Sequence, residues 1–136
     1  MTNRIFCDTS AVIALANKKD QYHNQAAKKL KSFLKVPDNT LLVTTHILAE
    51  TVTRVQQKVS KDAAIKVGNM LMQNPRIEIM NPPNSIIEKA WSIFQKYKDQ
   101  DFSLVDCISF AVMQDLKIKK AFAFDKHFKT MKFEIV

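Results

Sequence analysis

The sequence predicts an α/β protein, a three-layer α/β/α sandwich around a central, mainly parallel sheet of about five strands. Short runs rich in apolar and β-branched residues alternate along the chain with longer segments of helical periodicity. Parallel strands need crossover helices, so this alternation is typical of a sheet covered by helices on both faces. With 136 residues, 46% of them apolar, and no linker-like stretch, we expect a single domain over residues 1–136.

Strand-like runs occur at five places. The third alternates apolar and polar residues, and Pro82 and Pro83 end it because proline cannot continue the hydrogen bonding of a sheet. The predicted strands are residues 4–8 (RIFCD), 40–45 (TLLVTT), 76–80 (RIEIM), 121–125 (AFAFD) and 133–136 (FEIV).

Segments with apolar residues at helical spacing fill the intervals between the strands. The predicted helices cover residues 10–17, 23–36, 47–59, 60–73, a stretch after the two prolines, and a stretch that Ser103 opens. The last of these is apolar on nearly all sides, so we expect it to lie at the centre of the domain. Met70, Met72 and the aromatic residues around Trp91 are assigned to the core.

Composition excludes several classes of function. Gly68 is the only glycine, which excludes the glycine-rich phosphate loops of nucleotide-binding folds. Two cysteines cannot form a disulfide framework, and the three histidines lack the spacing of a zinc site. The net charge of +8 is compatible with a polyanionic partner such as nucleic acid, although charge alone does not identify one. No run of apolar residues is long enough for a transmembrane helix, and the cytoplasm is the expected location.

Four acidic residues fall at related positions in the predicted fold. Asp8 and Asp125 end predicted strands, and Glu50 and Asp106 lie near the starts of predicted helices. In a right-handed βαβ unit the carboxyl ends of the strands and the starts of the helices share one edge of the sheet. The sequence therefore predicts that these four carboxylates meet at the edge where α/β proteins bind their ligands.

Each acid also has a purely structural interpretation. Asp8 is suited to cap the following helix, Asp106 completes a Ser-x-x-Asp capping box, Asp125 can close a turn, and Glu50 can be simply exposed. Asp8 and Asp106, however, are embedded in apolar sequence, and no matching array of Arg or His accompanies them. Buried carboxylates need a compensating partner, and a hard divalent cation would satisfy all of them.

Other candidate residues are interpreted as structural. Cys7 and Cys107 adjoin proposed acids but are typical of small buried core residues. Thr9 and Ser10 either satisfy the turn after the first strand or contact a metal-bound water. His127, close to Asp125 in sequence, is assigned a surface or packing role, with contact to a phosphate as the alternative.

The segments IFCDTSAVIAL, TTHILAETVTRV and FSLVDCISFAVMQDLKIKKAFAFDKHF resemble the PIN-domain nucleases in content and order, and most closely the toxins of VapBC toxin–antitoxin pairs. The resemblance covers nearly the whole chain and implies a metal-dependent endoribonuclease. It implies that Asp8, Glu50, Asp106 and Asp125 bind Mg²⁺ or Mn²⁺ and carry the catalysis. It also implies a five-stranded parallel sheet, a homodimer and a cognate antitoxin, while exposed apolar residues on segments 23–36 and 60–73 are a candidate dimer face.

Two other functions remain open at this point. A phosphatase of the haloacid dehalogenase type also begins with an aspartate at a strand end, but it needs a second aspartate where this chain has Ser10. The alternative from another class is a non-catalytic, basic RNA-binding or regulatory module on the same fold. Such a module would bind RNA in EDTA and yield no cleavage product with Mn²⁺.

Overall fold

The structure is a computed structural model that describes residues 3–136. Within these residues five strands form one fully parallel sheet in the order β3-β2-β1-β4-β5. The strands are β1 (Asn3–Cys7), β2 (Asn39–Thr44), β3 (Ile77–Met80), β4 (Lys120–Phe122) and β5 (Glu134–Ile135). The central strand is β1, whose Phe6 pairs with Leu42 on one side and with Ala121 on the other. The predicted α/β fold with a five-stranded parallel sheet is confirmed.

Helices connect the strands, as crossover connections in a parallel sheet require. They are α1 (Thr9–Ala16), α2 (His23–Leu34), α3 (Thr45–Lys58), α4 (Lys61–Gln73), α5 (Asn84–Lys96), α6 (Leu104–Asp115) and the short α7 (His127–Thr130). Helices α1 to α4 pack against one another, and α5 packs against α6. Within residues 3–136, no helix combines the length and the apolar character needed to cross a membrane.

The core is built on β1 and on α6, as the apolar sequence of that helix predicts. Residues Cys107–Met113 of α6 are all buried. Phe110 packs edge-on against Phe128, with ring centroids 5.1 Å apart, and Phe128 contacts Phe6 of the central strand at 6.2 Å. This arrangement fixes the start of α6 relative to the end of β1, the two places that carry Asp106 and Asp8.

The fourth strand is shorter than predicted. It was expected to end at Asp125 but ends at Phe122. The backbone N–H of Phe124 donates to the hydroxyl of Ser10 at 3.0 Å instead of continuing a strand ladder. Asp125 therefore lies in the loop beyond the strand, although still on its carboxyl side.

Helix α3 begins earlier than predicted. The Thr44 hydroxyl accepts a hydrogen bond from the backbone N–H of Ile47 at 3.0 Å and caps the helix, whose first residue is Thr45. Glu50 consequently lies in the second turn of the helix. The predicted position in about the first turn was one turn too early.

The assignment of Met70, Met72 and Trp91 to the core is wrong, since all three are exposed. They lie on the outer faces of α4 and α5, and the inner faces are filled by Leu71 and Ala90. Sequence periodicity locates an apolar stripe but does not show which apolar residues beside it are left in solvent.

Gly68, in the middle of α4, provides a test of helix stability. A Cβ atom at this position would lie 3.5 Å from Val52 Cγ2 and 3.8 Å from Met72 Cε, both ordinary contacts, so alanine fits. Glycine in a helix interior lowers stability by about 0.5–1 kcal/mol relative to alanine. We expect Gly68→Ala to raise the free energy of unfolding by that amount in urea titration, and Ala64→Gly in the same helix to lower it. A loss of stability in Gly68→Ala would contradict the packing described here.

Candidate active site

Asp8 follows β1 directly and caps α1. Its carboxylate Oδ2 accepts hydrogen bonds from the backbone N–H of Ser10 at 3.2 Å and from the Ser10 hydroxyl at 2.7 Å. The residue is only 4% exposed, because the strand before it and the helix after it are both core elements. The capping role predicted for Asp8 is confirmed, and within residues 3–136 the other oxygen, Oδ1, has no hydrogen-bond partner.

The electrostatic environment of Asp8 opposes ionisation. The pKa of its carboxyl is raised from 3.8 to about 6, chiefly because the group is buried and in smaller part because the carboxylates of Asp106 and Asp125 lie nearby. The two hydrogen bonds from Ser10 act in the opposite direction, because they favour the charged form. Near neutral pH the fold therefore holds a desolvated negative charge beside two other acids, an arrangement that a cation would stabilise.

Asp106 is the third residue of α6 and forms a reciprocal capping box with Ser103. The Ser103 backbone N–H donates to Asp106 Oδ2 at 3.0 Å, and the Asp106 backbone N–H donates to the Ser103 hydroxyl at 3.0 Å. The predicted capping box is therefore present. It fixes the side chain at the helix start, where the dipole favours a negative charge.

Asp125 and His127 complete a cluster with Asp106. The backbone N–H of His127 donates to Asp125 Oδ1 at 2.8 Å, which closes the predicted turn. The His127 Nδ1 atom lies 3.0 Å from Asp106 Oδ2 and 3.1 Å from Asp125 Oδ1. One ligand atom from each of these three side chains lies within 4.8 Å of the others, close enough for one metal ion.

The part played by His127 was missed at the sequence level, since this one histidine lies against two of the acids. Because an ionised carboxylate only accepts hydrogen bonds, Nδ1 is the donor in its hydrogen bond with Asp106 Oδ2. The ring also packs edge-on against Phe102, with centroids 5.2 Å apart. The Asp-x-His spacing was the available signal, since a turn closed by Asp125 directs the side chain two residues later toward the same pocket.

Glu50 is not part of this three-residue cluster. Its carboxylate Oε2 lies 3.9 Å from Arg54 Nη2, one helical turn further along α3. The adjacent Thr51 makes a hydroxyl contact of 3.4 Å with Thr9, next to Asp8, so the helix that carries Glu50 packs against the turn that carries Asp8. Asp106 and Asp125 thus share the cluster, and Asp8 lies near enough for both to raise its pKa. The place of Glu50 in the site stays a prediction.

Both cysteines are buried and free, as expected for core residues. Desolvation raises the pKa of the Cys7 thiol well above its usual range and that of the Cys107 thiol to about 11, and the adjacent Asp8 and Asp106 act in the same direction. Both thiols therefore stay protonated and unreactive near neutral pH.

Comparison with known proteins identifies the family. The PIN domain model matches residues 5–134. A protein of Mycobacterium tuberculosis, the 23S rRNA-specific endonuclease VapC20, is 30% identical over 129 residues, which are 95% of this chain and 95% of that protein.

Solved structures agree with this match. The crystal structure of Mycobacterium tuberculosis VapC20, described as a sarcin-ricin loop cleaving toxin, superposes with a TM-score of 0.87 at 29% identity, covering 95% of both chains. VapBC2 from Rickettsia felis, bound to a DNA fragment from its promoter, has a TM-score of 0.72 at 14% identity and covers 98% of this chain and 97% of its own. VapBC-1 from nontypeable Haemophilus influenzae has a TM-score of 0.66 at 13% identity, with coverages of 98% and 96%. These last two similarities concern the fold. The fold, the acidic site and the sequence match together show that this chain belongs to the PIN domain family.

Proposed function

We propose that the protein is a metal-dependent endoribonuclease and the toxin of a toxin–antitoxin pair. The observation that carries the proposal is the convergence of Asp8, Asp106 and Asp125 at the carboxyl edge of the sheet. It occurs in a chain that is 30% identical over 95% of its length to a ribosomal RNA endonuclease. The raised pKa of Asp8 beside two other acids is a cost to the fold that a bound cation would offset, which favours the nuclease over a non-catalytic module.

The acidic site fits a hard divalent cation, Mg²⁺ or Mn²⁺. Asp8 offers Oδ1, Asp106 and Asp125 offer oxygens next to His127, and carboxylates are the ligands such ions prefer. Glu50 would complete the acidic pocket that the family resemblance implies. When bound, the cation supplies a Lewis acid that activates water and stabilises charge on the scissile phosphate.

The chain's own residues hold this site in shape. Ser10 fixes the carboxylate of Asp8, and the capping box fixes that of Asp106. His127 Nδ1 is hydrogen-bonded to Asp106 and lies 3.1 Å from Asp125 Oδ1, so the ring lies beside two carboxylates that would otherwise repel each other. Because these hydrogen bonds are made within the chain itself, the acids are positioned before any ligand arrives, which is favourable for catalysis.

The net charge and the comparison with VapC20 favour RNA as the substrate. The net charge of +8 would hold RNA phosphates near a pocket that itself repels them. The sarcin-ricin stem-loop of 23S rRNA is the first RNA to test, because the 30% identical VapC20 cuts it.

The solved VapBC relatives favour an antitoxin partner here too. The toxin alone is proposed to be a homodimer.

The nuclease assignment is tested with Asp8→Asn. We expect the variant to fold and to lose RNA cleavage in Mn²⁺ by about a hundredfold or more, because it removes a charged oxygen from the pocket. Cleavage is measured by end-mapping of the stem-loop and of a mixed pool of structured RNAs. Asp38→Asn, on an exposed residue, is the matched control and should cut normally. Full activity in Asp8→Asn, or product from the parent in EDTA, would overturn the assignment.

Asp8→Asn should also be more stable than the parent near neutral pH. The Asp8 pKa is about 6 in the folded chain and 3.8 as its ordinary value, so ionising Asp8 is less favourable in the fold than in the unfolded chain. The stability that protonated Asp8 gives the parent is fully present below pH 3.8 and is lost as the pH rises through about 6. In EDTA, the stability advantage of the variant should grow from near zero at pH 4 to at most about 3 kcal/mol at pH 7. An advantage that does not change between these pH values would contradict the pKa shift.

Metal binding should be visible without cleavage. Because a cation offsets the repulsion among the acids, Mn²⁺ should raise the melting temperature of the parent and of Asp38→Asn. At a hundred times the dissociation constant, the expected gain is about 2.7 kcal/mol. Asp8→Asn should gain much less, and KCl at equal ionic strength should give no specific gain. Equal shifts in the parent and in Asp8→Asn would argue against Asp8 as a metal ligand.

A further inference from the structure

A row of aromatic side chains leads from the core to the surface beside the acidic site. Phe122 of β4 is buried, Phe124 is half-buried and lies 6.0 Å from it, and Tyr22 is 37% exposed. Tyr22 stacks on Phe124 with ring centroids 4.6 Å apart and planes within 8° of parallel. The Tyr22 ring, the outermost of the row, therefore lies parallel to the Phe124 ring and is partly exposed to solvent.

The stack is tied directly to the acidic site. Phe124 immediately precedes Asp125, and its backbone N–H donates to the Ser10 hydroxyl at 3.0 Å. That hydroxyl in turn donates to Asp8 Oδ2 at 2.7 Å. Two consecutive hydrogen bonds thus join the residue beneath Tyr22 to the buried carboxylate, so the position of the stack and that of the acids are fixed together.

A positive charge lies at the same stack. Lys29 Nζ is 5.5 Å from the centroid of the Phe124 ring and donates one hydrogen bond to the backbone oxygen of Val136 at 2.6 Å. An ammonium group has three protons, so two donors remain available. A flat aromatic surface and a cation side by side match the chemistry of a nucleotide, which presents a flat base and a phosphate.

Tyr22 has no polar structural role within residues 3–136. It lies just before α2, its side chain does not cap that helix, and its hydroxyl makes no hydrogen bond within residues 3–136. The stacked pair Trp91 and Phe94 on α5 is also exposed, with centroids 5.4 Å apart, but no hydrogen bond in the described chain links it to the acids. The connection to the acidic site is therefore particular to Tyr22 and Phe124.

We propose that Tyr22, stacked on Phe124, is a platform for an unpaired RNA base next to the phosphodiester presented to the acids, with Lys29 contacting a neighbouring phosphate. Single-stranded RNA is commonly recognised in this way, by bases stacked on aromatic side chains. This inference rests on the proposed ribonuclease function and adds to it the residues that would hold a base beside the cleavage site.

The test measures binding without cleavage. Fluorescence anisotropy in EDTA gives the affinity of the full chain for short labelled oligoadenylate and oligouridylate. Adenine offers the larger stacking surface, so the parent should prefer oligoadenylate. Tyr22→Leu, which keeps an apolar side chain but removes the ring, should weaken oligoadenylate binding by about fivefold to a hundredfold and reduce the preference. Tyr22→Phe keeps the ring and should bind like the parent.

Two further variants separate stacking from charge and from general surface effects. Lys29→Gln should weaken the binding of both RNAs and lower the slope of log affinity against log salt by about 0.7, the value for one lost phosphate contact on a single strand. Trp91→Leu should leave both affinities unchanged. Thermal melts confirm that each variant is folded.

The proposal is overturned if folded Tyr22→Leu binds oligoadenylate as tightly as the parent, or if Trp91→Leu weakens it equally. A separate cleavage assay in Mn²⁺ distinguishes this result from failure of the proposed function. If the parent cleaves RNA but Tyr22→Leu does not change binding, the platform proposal is rejected and the nuclease proposal stands. If binding depends on Tyr22 but the parent does not cleave RNA, the nuclease proposal is rejected and the Tyr22 platform stands as an RNA-binding site.

Discussion

The buried carboxylate of Asp8 is the constraint on which the rest of the site depends. It lies at the end of the central strand, 4% exposed, with two further acids close enough to raise its pKa. A desolvated charge among like charges destabilises a fold unless something compensates it. The surrounding hydrogen bonds to Ser10 supply part of that compensation, and a cation would supply the rest. The acidic edge of the sheet is therefore a place where the fold carries a local loss of stability, which is common at functional sites.

Structural and functional interpretations of these acids are not alternatives. Asp8 caps α1, Asp106 completes a capping box, and Asp125 closes a turn, so each has an ordinary local role. A carboxylate has two oxygens and about four acceptor positions, so one local hydrogen bond leaves others free. The local bonds orient each side chain, and acceptor positions remain for a ligand. The capping interactions are in this sense what positions the site.

Local sequence patterns were enough to predict the strands, the parallel sheet and three acids that the structure groups, because strand ends and helix starts of a parallel sheet share one edge. Contacts between distant parts of the chain were not predictable. The early end of β4 depends on a hydrogen bond between Phe124 and Ser10, residues separated by 114 positions. The position of His127 between Asp106 and Asp125 depends on how a turn meets a helix start. Neither contact leaves a periodic trace in the sequence.

Charge distribution links the acidic site to the rest of the surface. A pocket of carboxylates repels the phosphate that it is proposed to cleave, and a net charge of +8 attracts RNA in general without selecting one phosphodiester. Selection needs contacts with a defined geometry near the acids. Tyr22 and Lys29 meet that requirement, because Phe124 fixes both of them and is itself hydrogen-bonded to Ser10. Since Ser10 also donates a hydrogen bond to Asp8, a displacement of Phe124 would disturb the carboxylate. The aromatic surface proposed to bind the base is in this way coupled to the carboxylate proposed to bind the metal.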